Sequence, residues 1–254
     1  MNGRSRLVPM IAVLEISRVT LRQLMGRLRT LLLILLSALP VLLAIAFRAA
    51  GTVEIDRYTR TSFNAITVTI LMPLVAILFG AGAFGAEIDE GTIVYLLAKP
   101  VRRVWIVLAK ALSAMVMSVL LTGVSTALAA FIVLGSTGGD GMLATEAQVF
   151  AVVVGSICYA SLFMTVSLFT RRALVIGIGY MLIWEGALSV LLSGIANYSI
   201  RQYALGAASA IYKLPIETAR LNADTGITLA VAVVLITLIV STYRLARFEL
   251  PGGD

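Results

Sequence analysis

Six stretches of this chain are long, oily and almost free of charge: Leu31–Phe47, Ser62–Ala86, Ala111–Leu134, Ala147–Phe169, Ala173–Gly194 and Gly226–Tyr243. Crossing about 30 Å of hydrocarbon as an α-helix takes roughly 20 apolar residues. Six such runs in 254 residues cannot all be hidden in one soluble core. The composition agrees, with 60% apolar and 13% charged residues against about half and about a quarter in an average soluble domain. The expected fold is an all-α integral membrane protein with six transmembrane helices. Residues 1–30 form an N-terminal segment, 31–243 a single membrane domain and 244–254 a tail. Pro40 and Pro73 fall inside two of the runs and predict kinks, since each removes a backbone donor. Ala44-Ile45-Ala46 after an apolar run resembles a signal-peptide cleavage site, but about thirty residues precede the run, so an uncleaved first span is expected.

The net charge is +7. In a soluble chain that would suggest nucleic acid, but here it is first a topology signal. With the N-terminus placed in the cytoplasm, 14 of the 20 Lys and Arg residues fall on the inner side, and six spans return the C-terminus there. The expected location is the cytoplasmic (inner) membrane, with both termini cytoplasmic and no nucleic-acid partner. The chain has no His and a single Cys, Cys158. That excludes His-based catalysis, internal disulfides and Cys-cluster metal sites. No metal site is expected.

Between the spans, residues 10–30 read as an amphipathic helix on the inner surface. Glu15, Arg18, Arg22 and Arg29 share one face, and Leu14, Leu21 and Leu28 another. Glu87–Lys110 reads as a solvated entrance followed by a short cytoplasmic helix. It opens with Glu87, Asp89 and Glu90, turns at Gly91-Thr92, runs apolar to Ala98, breaks at Pro100 and resumes at Arg102-Arg103. Carboxylates suit a helix N-terminus, and Gly91 can take an unusual backbone angle. Two readings stay open: a stiff knuckle that passes force from a soluble partner into the membrane, or a loop whose basic residues only fix topology. Residues 135–146 read as a short flexible outer turn. Asn197–Thr225, with Tyr198, Tyr203 and Tyr212, reads as a segment lying on or dipping into the outer leaflet.

Two other features invite functional readings. Gly80-Ala81-Gly82-Ala83-Phe84-Gly85 matches a dinucleotide fingerprint, but it closes a membrane span and lacks a βαβ context, so close helix packing is the better account. No phosphate-cradling G-x-x-x-x-G-K-[ST] motif is present. Glu185 lies mid-span, where a charge costs about 2.5–3.5 kcal/mol on insertion scales. It is either an intramembrane polar site for substrate or proton, or a neutral Glu hydrogen-bonded across helices. No basic residue lies inside the spans as drawn, so its partner is not evident.

The segment Glu87–Lys110 resembles the membrane subunit of type-2 ABC exporters. The matching positions are an acidic residue (Glu87), Gly91 and Thr92, the pair Leu96 and Leu97, Pro100-Val101, Arg103, and Lys110 before the third span. The six-span layout and the helix before span one extend the likeness over nearly the whole chain. The resemblance implies a half-size permease without a fused ATPase, pairing with a second permease subunit and an ABC ATPase subunit. ATP and Mg would be held by that ATPase, with no cofactor in this chain and no catalysis of its own. Glu87–Lys110, with Asp89, Glu90 and Arg102, would contain the helix that couples to the ATPase, and Asn197–Thr225 would be a short re-entrant element. The oily spans favour a hydrophobic or amphipathic cargo. An ATP-driven transmitter that moves no solute and an intramembrane enzyme using Glu185 stay as alternatives.

Overall fold

The computed structural model describes residues 17, 20, 27–51, 55–97, 101–135, 138–188, 196–214, 216 and 220–247. Among these, every regular element is helical. The helices are α1 (Arg27–Ala49), α2 (Ile55–Asp89), α3 (Ile93–Leu97), α4 (Arg103–Leu134), α5 (Gly139–Ser167), α6 (residues 173–188), α7 (Ile200–Ala208) and α8 (Ala223–Ala246). Four of them, α2, α4, α5 and α8, are long and apolar enough to cross a membrane, and α1 and α6 hold shorter apolar helices.

Apolar length sets these helices, and small residues set how closely they pack. Hydrocarbon solvates Leu as well as a protein does, so membrane helices associate through close approach and interhelical hydrogen bonds. Helix α5 is the hub, with Ala144, Ala147, Ala151, Gly155 and Ala160 among its buried residues, and α2, α4, α7 and α8 surround it. A Cβ at Gly80 would meet the Ala160 carbonyl at 2.7 Å, so this glycine lets α2 touch α5. Of the glycine-rich run, Gly80 serves close packing, whereas Gly85 faces open space.

Interhelical hydrogen bonds give the directions. The Arg48 side chain donates to the Ile132 carbonyl (2.8 Å) and Ser125 to the Ser37 carbonyl, so α1 and α4 run parallel. Thr122 bonds Ser156 (2.9 Å) across the antiparallel pair α4 and α5. Thr165 bonds Ser241 (2.9 Å), with α8 parallel to α5. The start of α1, the α2–α4 hairpin and the end of α8 therefore share one end of the bundle, called here the hairpin end.

Several boundaries move from their expected places. Helix α4 is continuous from Arg103, so the run expected to end at Lys110 is the first two turns of the third long helix. Helix α5 starts at Gly139, so most of the turn expected over 135–146 is helix. Helix α2 starts at Ile55, and its Thr59–Leu71 part is π-helical. These wide turns end two residues before Pro73, whose missing N–H already interrupts an α-type ladder. Pro40 sits within the continuous helix α1. Of the N-terminal amphipathic segment, Ser17 and Thr20 are described, both helical and buried, and residues 27–30 form the start of α1. Of the face defined by Leu14, Leu21 and Leu28, Leu14 and Leu21 lie outside the described residues and Leu28 falls in the first turn of α1. Residues 189–194 of the fifth apolar run also lie outside the described residues.

Candidate functional site

The hairpin between α2 and α4 begins with a reversal that the sequence makes easy. Gly91 follows α2 at φ +69°, a left-handed angle that costs other L-residues roughly 1–2 kcal/mol. Its N–H bonds the Ile88 carbonyl, and the Tyr95 N–H bonds the Thr92 carbonyl to open α3. Asp89, Glu90 and Gly91 are exposed, and Tyr95 is 75% exposed although aromatic. Ile93 turns inward and anchors the short helix. Leu96 and Leu97 form the end of α3, and their side chains lie outside the described residues, as does Pro100. Arg102 is exposed just before α4.

Two predicted surface charges instead form the base of this hairpin. Glu87 is 8% exposed rather than solvated, and Lys110 is 1% exposed within α4. Lys110 Nζ donates to Glu87 Oε1 at 2.5 Å and to the Ala83 carbonyl, and lies 4.9 Å from the Phe84 ring centroid. The cation is thus neutralised and hydrogen-bonded, as burial requires. One turn along α4, Ser113 donates to Ala109 (2.8 Å) and Ser17 (3.3 Å), while Ser17 donates to Ala109 (3.1 Å). The N-terminal segment is therefore sewn to α4 just past Lys110.

Arg103 points back into the molecule. Its guanidinium donates to the Leu245 carbonyl and to the Ala246 carbonyl (2.9 Å), the last carbonyls of α8. Those groups have no intrahelical donor, and a cation there also suits the negative end of the helix dipole. One hairpin thus ties together the end of α2, the start of α4, the N-terminal segment and the end of α8. The residue types are visible in the sequence. Their partners are not, because Glu87 and Lys110 stand 23 positions apart and Arg103 and Leu245 142 positions apart.

Glu185 lies elsewhere. Residues 181–188 are π-helical, with Leu182 and Ile183 outward and Glu185 inward at 1% exposure. Glu185 Oε1 accepts from the Tyr180 hydroxyl (3.3 Å), and Oε2 accepts from the Ser199 hydroxyl. Ser199 precedes α7, so the carboxylate sits beside the positive N-terminus of that helix. Arg201, 6% exposed, lies within electrostatic reach of Glu185, as do the Tyr159 and Tyr203 hydroxyls. The basic residue absent from the spans as drawn therefore comes from a connecting segment. Within Asn197–Thr225, helix α7 packs inside the bundle. Every residue of α7 is buried, and Ala204 packs at Gly155 opposite Met72. At 1.5 Å per residue, Gly155 lies about 24 Å along a helix of about 42 Å, close to the middle of α5.

Sequence reading missed Ser199 and Arg201 as functional neighbours. The signal that could have found them is the unpaired Glu185 itself, with Arg201 the nearest downstream cation and Gly206 and Gly226 allowing close approach.

No curated protein matches the chain. The family model described as "ABC-2 family transporter protein" matches residues 10–249, covering both the hairpin and the buried α7. A bundle of long apolar helices, with a short charged hairpin at one end, belongs to the ABC-2 family of transporter permeases, multi-pass membrane proteins of ABC transporters.

Proposed function

We propose that this chain forms the membrane path of an ATP-driven exporter, that it pairs with a second permease subunit, and that a separate ABC ATPase drives it through the hairpin Asp89–Leu97. The carrying observation is the construction of that hairpin. An exposed, anionic, aromatic-tipped knuckle stands on a base tied to α2, α4, α8 and the N-terminal segment. A push on α3 is then delivered to four elements at once, because the ties at its base are short. ATP and Mg are held by the partner, since this chain has no phosphate-cradling loop. Moving a two-state permease from 1:99 to 99:1 takes about 5.5 kcal/mol of differential binding, within reach of nucleotide binding at two sites.

In this reading the hairpin end faces the cytoplasm, the six apolar helices all cross the cytoplasmic membrane, and both chain termini are cytoplasmic. The distribution of Lys and Arg supports that orientation. The cargo is hydrophobic or amphipathic. Supporting this, an apolar groove of about 430 Å³ lies between α1 and α4 and one of about 250 Å³ between α5 and α8.

The test is a pair of charge reversals, Asp89→Lys and Glu90→Lys, in the permease co-expressed with its ATPase. Both residues are exposed, so the bundle should still fold. The expected result is a complex whose ATP hydrolysis no longer responds to the permease, or no complex at all. Unchanged coupling in the double reversal would overturn the docking assignment.

A further inference from the structure

We propose that Glu185 is a positioning residue: it holds α7 in the middle of the bundle by accepting Ser199 and offsetting Arg201, and carries no proton or substrate. The reading stands on geometry independent of the ATPase assignment. At the centre of a membrane helix a carboxylate costs about 2.5–3.5 kcal/mol on insertion scales, and an arginine a similar amount. Neither is tolerated alone, yet both are buried here, within electrostatic reach of each other although 16 positions apart in the chain.

Every oxygen of the carboxylate is engaged by the protein. Oε1 takes the Tyr180 hydroxyl and Oε2 the Ser199 hydroxyl. Ser199 occupies the position from which a serine ordinarily caps its own helix, but it makes no such cap bond. It reaches instead to Glu185, so the carboxylate of α6 takes over the N-terminus of α7. The rest of α7 has no slack. A Cβ at Gly226 would strike the backbone of residues 203–207 at 2.7–2.9 Å, and one at Gly206 would meet Leu221 at 3.0 Å. Small residues thus let α7 fit, and the Glu185 contacts give its polar end a reason to stay. The Ser199–Glu185 hydrogen bond thus fastens α7 to α6.

The prediction is read by cysteine accessibility in the membrane-embedded protein, with Cys158→Ser removing the native thiol. Ala208→Cys reports α7, being fully buried, and Tyr198→Cys, at 71% exposure, is the accessible reference. Ala76→Cys reports the bundle core. A membrane-impermeant maleimide should label position 198 and spare 208 and 76. Adding Glu185→Gln should raise labelling at 208 by about tenfold or more, because removing one partner of a buried pair strands the other charge. Adding Arg201→Gln as well removes both charges and should restore protection. A proton- or substrate-carrying Glu185 would behave differently, since Gln mimics the neutral acid and would leave α7 seated. Protection at 208 in Glu185→Gln therefore overturns the proposal. If that variant also exposes position 76, the double variant decides: restored protection supports the pairing, and continued labelling overturns it.

Discussion

Lys110 brings a full charge into a bundle of oily helices, and its neighbours explain why it is tolerated. Glu87 neutralises it, the Ala83 carbonyl accepts a second hydrogen bond and the Phe84 ring offers its face. Lys110→Met should destabilise the protein by about 3–5 kcal/mol, because it leaves a buried carboxylate without a cation. Glu87→Gln combined with Lys110→Met should recover much of that loss. Thermal unfolding of the four-member cycle in one detergent checks it, and purely additive losses would disprove the coupling. Gly91 makes a gentler prediction. Nothing lies within 4 Å of a Cβ built there, so Gly91→Ala meets only backbone strain at φ +69°. It should cost about 1 kcal/mol, and Gly91→Asn distinctly less, since Asn visits the left-handed region more readily. The same melting measurement reads both. At this scale, residue type was legible and partnership was not. Glu87 reads as a solvated helix-start carboxylate because three acids cluster there, yet only Asp89 and Glu90 are exposed.

At the scale of elements, apolar run length foretold most of the long helices, since it reflects what a hydrocarbon environment demands of the backbone. Ends were harder. Helix α5 begins eight residues earlier than its apolar run, because Gly139–Glu146 can continue a helix without being oily. The π-helical stretch of α2 left no periodicity that distinguishes it from an α-helix. The burial of helix α7 was the least legible from composition. A nine-residue helix carrying Arg201, Gln202 and Tyr203 looks interfacial by composition, and its burial depends on Glu185, Gly155 and Gly226 from three other helices. Its packing gives a sharp contrast. Gly226→Ala places a methyl against backbone and should cost about 1–3 kcal/mol or force α7 and α8 apart. Gly179→Ala, with open space around it, should be neutral or stabilise by about 0.5–1 kcal/mol, as expected for Gly to Ala inside a helix. A comparison of melting temperature and monodispersity between the two variants checks the account. Equal behaviour would contradict it.

For the whole molecule, the central feature is that the hairpin end gathers everything a partner would need to move. The N-terminal segment at Ser17, the end of α8 and the helices on either side of α3 converge there through named contacts. The excess of Lys and Arg that first resembles a nucleic-acid signal concentrates toward that same end, at Arg102, Arg103, Arg171, Arg172, Arg244 and Arg247. Part of that charge is spent internally, since Arg103 caps α8 and the Arg244 guanidinium lies 5.2 Å from the Phe169 ring centroid. Membership of the ABC-2 family makes the chain a membrane component of an ABC transporter, and the proposed entry point of the drive is the hairpin around α3. The most direct measurement is photo-crosslinking in native membranes with a benzophenone side chain at Tyr95, compared with one at Leu143 beyond the opposite end of α4. The account predicts an adduct from position 95 that mass spectrometry identifies as an ABC ATPase, and none from position 143. An ATPase adduct from 143, or none from 95 while the permease remains folded, would contradict it.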